Sequence, residues 1–123
     1  MHDQRRRLVG VVDDDAAVRD SLRFLLESAG FAVVAFESAG QFLIASGQES
    51  IDLLLVDQHM PLMTGLELLE CLRDAGGQVP AALMTGSPSA QLTARALALG
   101  ARTVLEKPLT EQALFHFVGD ANG

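Results

Sequence analysis

Five polar side chains stand at or just past the ends of apolar runs, and their types suit phosphoryl chemistry. Asp13 and Asp14 follow Leu8 to Val12, Asp57 follows Leu53 to Val56, Thr85 follows the run ending at Met84, and Lys107 stands just past Leu105. In an open α/β sheet the carboxyl ends of the strands share one edge, where ligands bind, so residues far apart in sequence converge there. A lone strand-end aspartate serves equally well as a loop-starting or capping acid. Three carboxylates, a hydroxyl and an ammonium together ask for more. Like charges about 4 Å apart repel by roughly 4 kcal/mol at an effective dielectric near 20, so the acids favour a raised pKa or a bound cation. With only oxygen ligands on offer, Mg²⁺ fits better than zinc, which looks for His or Cys. Such a metal beside Asp57, with Lys107 and Thr85 across the pocket, is an arrangement for in-line attack on phosphorus to give an acyl phosphate.

The elements that must position these residues can be read from periodicity. Leu8 to Val12 is a strand candidate, and Val18, Leu22, Leu25, Leu26 and Ala29 recur at helical spacing up to Gly30, with Asp15 as an N-cap acid. Phe31 to Phe36 is a second strand, and Ser38 with Gln41 marks the start of a short helix. Gly47 to Ser50 is a loop. Leu53 to Val56 shows no polar alternation, as a central parallel strand covered on both faces requires. Thr64 and Glu67 stand at capping-box spacing before a leucine-rich helix that stops at Gly76 and Gly77. Pro80 to Met84 is the fourth strand. Ser87 and Pro88 predict a fourth helix from about 88 to 99, Arg102 to Leu105 a fifth strand, and Thr110 a last helix through about Val118. Five strands alternating with five helices predict a doubly wound α/β fold with a five-stranded parallel sheet and right-handed crossovers.

Composition sets the class. The 123 residues are the length of one domain, and 49% are hydrophobic. The single cysteine, Cys71, excludes a disulfide framework and reads as a small buried core thiol. The net charge is −7, and three of the nine basic residues are Arg5, Arg6 and Arg7, so the body is more acidic still and should repel nucleic acid. The apolar run behind those arginines is too short for a signal peptide or membrane span, and a cytoplasmic location is expected. Residues 1–7 read as a frayed basic start, 8–119 as the domain and 120–123 as a frayed end.

Four blocks carry a family resemblance: VVDDD at 11–15, LLLVDQHMPLMTG at 53–65, LMTG at 83–86 and LEKPL at 105–109. In order, and at the separations 14 to 57, 57 to 85 and 57 to 107, they resemble the signature of bacterial response-regulator receiver domains of the CheY-like type. The resemblance implies a flavodoxin-like sheet in the order 2-1-3-4-5. It further implies that Asp57 is the phospho-acceptor, that Asp13, Asp14, Asp57 and the His59 backbone carbonyl bind Mg²⁺, and that Thr85 and Lys107 engage the phosphoryl group. A histidine kinase's phosphohistidine would be the donor, and Lys107-Pro108 a candidate cis peptide.

One position departs from the pattern. Where the family usually has Tyr or Phe two residues before the Glu of the EKP block, this chain has Val104, and it contains no tyrosine. A β-branched valine cannot swing between exposed and buried rotamers as a ring does, so the chemistry is expected intact with the aromatic half of the switch missing or replaced. His59 and Ser87, two residues past Asp57 and Thr85, flank the route of an attacking water in the family and are expected to set the phosphoryl lifetime. The alanine- and leucine-rich fourth helix can pack Ala94, Leu97 and Ala98 inward, but Leu92, Ala96 and Leu99 cannot all follow, which leaves an apolar surplus. With Phe115 in the last helix, that surplus suggests a homodimer or output-partner face over the fourth helix, fifth strand and fifth helix.

Two other functions compete. A haloacid-dehalogenase-type phosphatase would use Asp13 as nucleophile in a D-x-D pair with Asp15, although Ala17 stands where Thr or Val is usual. A degenerate receiver would bind a partner without phosphorylation; Asp57, Thr85 and Lys107 argue against it, while Val104 keeps it open.

Overall fold

The computed structural model describes residues 6–45 and 50–122, with side chains to 119. The expectations for residues 1–5, for most of the Gly47 to Ser50 loop and for Gly123 lie outside the described residues. The order is β1 (Leu8–Val12), α1 (Ala16–Ser28), β2 (Ala32–Phe36), α2 (Ala39–Ala45), β3 (Leu53–Asp57), α3 (Gly65–Asp74), β4 (Ala81–Thr85), α4 (Ala90–Ala98), β5 (Thr103–Glu106) and α5 (Glu111–Asn122). All strand pairs are parallel, in the sheet order β2-β1-β3-β4-β5. Both expectations hold, the doubly wound sheet and its strand order.

Because successive strand residues face opposite sides, the sheet divides two cores. Val12, Leu54, Val56, Ala81 and Leu83 pack with Phe42, Leu66, Leu69 and Ala96 under α2, α3 and α4. Val9, Val11, Leu53, Leu55, Ala82, Met84 and Leu105 pack with Leu22, Leu26, Leu114 and Phe117 under α1 and α5. Every residue of β3 and β4 is buried, as the unbroken apolar runs require.

The structure corrects four local expectations. Cys71 is exposed: α3 turns Leu66, Leu68 and Leu69 to the core and carries Cys71 on the outer side. The fourth helix begins at Ala90 with Ser89 as its N-cap, whose hydroxyl accepts from the Leu92 N–H. Ser87 does not cap it, because its own N–H donates back to Thr85 Oγ1 and folds that segment into the turn after β4. The inward face of α4 is the reverse of the expected one. Ala96 is buried, with Leu92 and Leu99 packed against the same core, while Ala94 and Ala98 are exposed and Leu97 is 49% exposed. Turning two leucines and an alanine inward removes more apolar surface from water than one leucine and two alanines. The last helix continues past Val118 to Asn122.

The other caps hold. Asp15 accepts from the Ala17 N–H, Thr64 and Glu67 form a reciprocal capping box, and Thr110 Oγ1 accepts from the Ala113 N–H. Among the described residues no helix is long and apolar enough to cross a membrane.

Candidate functional site

The carboxyl edge of the sheet gathers the predicted group. Asp13 follows β1 and is fully buried, Asp57 closes β3 at 2% exposure, Thr85 closes β4 fully buried, and Lys107 follows β5. The Lys107 Nζ lies 2.8 Å from Asp13 Oδ2 and 3.0 Å from Asp57 Oδ1. Apart from that ammonium, neither oxygen has a hydrogen-bond partner among the described residues. Asp14 is exposed at the rim, and one carboxylate oxygen from each of Asp13, Asp14 and Asp57 lies within 4.8 Å of the others. Asp15, excluded from this group by its capping role, is exposed and bonded to α1.

Two buried acids share one base, and the electrostatics follow. Burial pushes the Asp57 carboxyl above the usual carboxylate range; the Lys107 hydrogen bond and a His59 backbone group only partly offset this, and the Asp13 charge adds to the rise. For Lys107, burial works against the ammonium, but the hydrogen bonds and charges of Asp13 and Asp57 outweigh it and raise the group above its ordinary value. The pocket is over-supplied with negative charge and with buried oxygens. That suits a hard divalent cation, and the His59 imidazole is turned elsewhere, so the donor set is oxygen only.

Several backbone devices hold the site and were not legible beforehand. The Asp13 Oδ1 accepts from the Asp15 N–H, and Arg19 reaches back from α1 to donate to the Asp13 carbonyl at 2.8 Å. Gln58, next to the candidate nucleophile, caps α3: its carbonyl accepts from the Gly65 N–H and its Oε1 from the Leu66 N–H at 2.9 Å. Two N-terminal amides of α3 are thereby satisfied by the residue that follows Asp57. Across the rim, His59 Nε2 lies 3.1 Å from Thr85 Oγ1. Leu62, in the same loop, is fully exposed at φ 72°. The Lys107-Pro108 bond is cis, as expected.

Gly65 has a specific reason to be glycine. A Cβ there would lie 2.6 Å from the Asp57 carbonyl oxygen and 2.5 Å from Leu83 Cδ1. Helix α3 therefore approaches the Asp57 backbone more closely than any side chain permits. Gly65→Ala is expected to cost about 1–3 kcal/mol, the usual penalty of overpacking. A thermal melt checks this, and an unchanged midpoint would mean that the start of α3 yields freely.

Comparisons with known proteins agree with this fold. The family model described as the response regulator receiver domain matches residues 9–118. The transcriptional regulatory protein FixJ of Bradyrhizobium diazoefficiens is 41% identical over 111 residues, covering 90% of this chain and 54% of that protein. TdiR of Thauera aromatica, also a transcriptional regulatory protein, is 38% identical over 113 residues, covering 92% of this chain and 50% of that one. The chain thus spans about half the length of the curated relatives it matches. Among solved structures, FixJ-N superposes at a TM-score of 0.86 with 33% identity, covering 96% of this chain and 94% of that one. The Vibrio cholerae chemotaxis protein CheY4 superposes at 0.89 with 24% identity, covering 95% of this chain and 99% of that one, which supports the fold alone.

Proposed function

The chain belongs to the response-regulator receiver family, the phospho-accepting module of two-component systems, and from that premise we propose that Asp57 is its phospho-acceptor. The carrying observation is the pairing of a buried, strand-end Asp57 with Lys107 beside Asp13 and Asp14. A carboxylate oxygen of Asp57 attacks phosphorus in line; the new O–P bond forms as the P–N bond of a phosphohistidine breaks, and the imidazole nitrogen leaves with the electron pair. Lys107 pairs with the incoming phosphoryl oxygens, and the Thr85 hydroxyl donates to one of them. Asp13, Asp14, Asp57 and the His59 carbonyl would hold Mg²⁺, which when bound neutralises the acidic pocket and the phosphoryl charge. The domain catalyses its own phosphorylation and dephosphorylation and turns over no external substrate.

The partners follow from the same reading: a histidine kinase as donor, and an output domain or effector as recipient of the signal. The face over α4, β5 and α5 is the proposed homodimer or docking surface. With α4 turned as observed, its apolar contribution is Leu97 with Ala94 and Ala98, while Phe115 packs largely against the core. The net acidity argues against direct nucleic-acid contact by this domain, and a cytoplasmic setting is the natural one for a kinase-coupled receiver.

Incubation with Mg²⁺ and acetyl phosphate, read by intact mass, should add one phosphoryl group that disappears in Asp57→Asn. An adduct mapped to Asp13 would instead support a hydrolase. Val104 is half-buried against the core below α4, and a pair of structures with and without a phosphoryl mimic is expected to show it in one rotamer. A large rearrangement there would overturn that expectation.

A further inference from the structure

Thr85 is fully buried, and its hydroxyl must satisfy both its oxygen and its proton. The Ser87 N–H donates to the oxygen at 3.0 Å. Among the described residues the only acceptor recorded for the hydroxyl proton is His59 Nε2, at 3.1 Å. In its Nδ1–H tautomer the imidazole accepts on Nε2, and the contact ties the loop after β3 to the loop after β4 across the mouth of the acidic pocket. Accepting phosphate changes the demand on that hydroxyl. A hydroxyl has one proton, so Thr85 cannot donate to a phosphoryl oxygen on Asp57 and to His59 at once. On the neighbouring strand, Val104, the register partner of Leu83, offers no ring whose movement could accompany the change.

We propose that His59 is a positioning residue that latches Thr85 in the unphosphorylated state, and that release of the His59–Thr85 hydrogen bond is this domain's substitute for the missing aromatic switch. The proposal rests on the receiver reading above. Release frees the exposed His59 ring and both loops together, so the surface that changes on phosphorylation lies over the pocket as well as along β5.

The test is ¹⁵N–¹H NMR of the histidine ring nitrogens, in the full chain, titrated with Mg²⁺ and beryllofluoride. In the wild type, Nε2 of His59 should show a hydrogen-bonded shift that moves on beryllofluoride binding. Thr85→Val, which keeps the shape and removes the hydroxyl, should show the released shift from the outset and no further change. In His59→Ala the latch is gone, so beryllofluoride should bind about two- to tenfold more tightly, the equilibrium worth of one hydrogen bond. Identical His59 shifts in wild type and Thr85→Val, shifts unmoved in beryllofluoride-bound protein, or affinity unchanged or weakened in His59→Ala would each overturn the latch. Failure of the wild type to bind beryllofluoride with Mg²⁺, seen as no response at the Asp57 amide, would overturn the receiver reading and the latch with it.

Discussion

Asp57→Asn is expected to raise the melting temperature of the metal-free protein while abolishing its phosphoryl adduct, so that stability and function move in opposite directions at one atom pair. Asp13 and Asp57 are both buried and share a single ammonium. Carboxylate oxygens less than 5 Å apart repel by roughly 3–4 kcal/mol at an effective dielectric near 20, and losing one of them forfeits part of the attraction to Lys107. The net relief is about 1–2 kcal/mol, a rise of roughly 3–8 °C for a domain of this size. The sign agrees with the titration of the group. Its folded pKa is raised above the ordinary 3.8, so its contribution to stability is present below that value and lost as pH rises through the folded one. The buried Asp57 carboxylate is therefore a cost that Asn removes. Adding Mg²⁺ should narrow the gap, because ligand that binds only the folded state stabilises the wild type more than a variant with one carboxylate fewer. A variant that melts at or below the wild type without metal would show that the buried acid carries no such cost. A surviving adduct would remove Asp57 from the nucleophile's place.

That site was legible because strand ends are legible. Val9 to Val12, Leu53 to Val56 and Ala81 to Met84 are apolar on both faces, which only a covered parallel sheet accommodates, and the first polar residue after each must then emerge at one edge. Asp13, Asp57 and Thr85 needed no further information, whereas Lys107 stands one residue beyond Glu106, the first polar residue after Leu105, and is picked out by the LEKPL block instead. What stayed hidden depends on rotation and docking rather than pattern. Helix α4 has leucine or alanine on every side, so periodicity did not choose between the Ala94–Leu97–Ala98 face and the Leu92–Ala96–Leu99 face; packed area did. Cys71 was misplaced for a related reason, since a cysteine among leucines is assigned inward by company, whereas its angular position on α3 carries it out. Gln58, Arg19 and the His59–Thr85 bond were invisible because each joins a side chain to a backbone group or loop whose path the sequence does not state. Gly65 could have been suspected, because a glycine just after the Thr64 cap weakens the first turn of a helix unless something lies too close for a Cβ.

Lys107→Met should produce the largest loss of stability of any single change at this site. Methionine keeps the length and apolar stem of lysine and removes only the ammonium, leaving the Asp13 and Asp57 carboxylates buried without the group that pairs with both. Stripping one partner from a buried pair costs about 3–5 kcal/mol; because the lysine side chain is 22% exposed, solvent screening reduces this to about 2–4 kcal/mol, a large share of the 5–15 kcal/mol typical of a domain. The pH dependence separates this loss from simple repacking. The folded pKa of Lys107 is raised above the ordinary 10.5, so its contribution is fully present below that value and disappears only as pH rises through the folded one. Wild type and variant should therefore converge in strongly alkaline solution, and again in acid as the carboxylates take up protons and need no partner. At neutral pH, Mg²⁺ should recover more stability in Lys107→Met than in the wild type, since the metal then replaces the charge that the ammonium supplied. The double variant with Asp57→Asn leaves a single buried acid and should lose clearly less than Lys107→Met alone, a non-additivity that a cycle of four denaturation curves would measure. Strict additivity, or a deficit independent of pH and of Mg²⁺, would mean that lysine acts here through packing rather than charge, and would take with it the electrostatic account of the proposed phospho-acceptor.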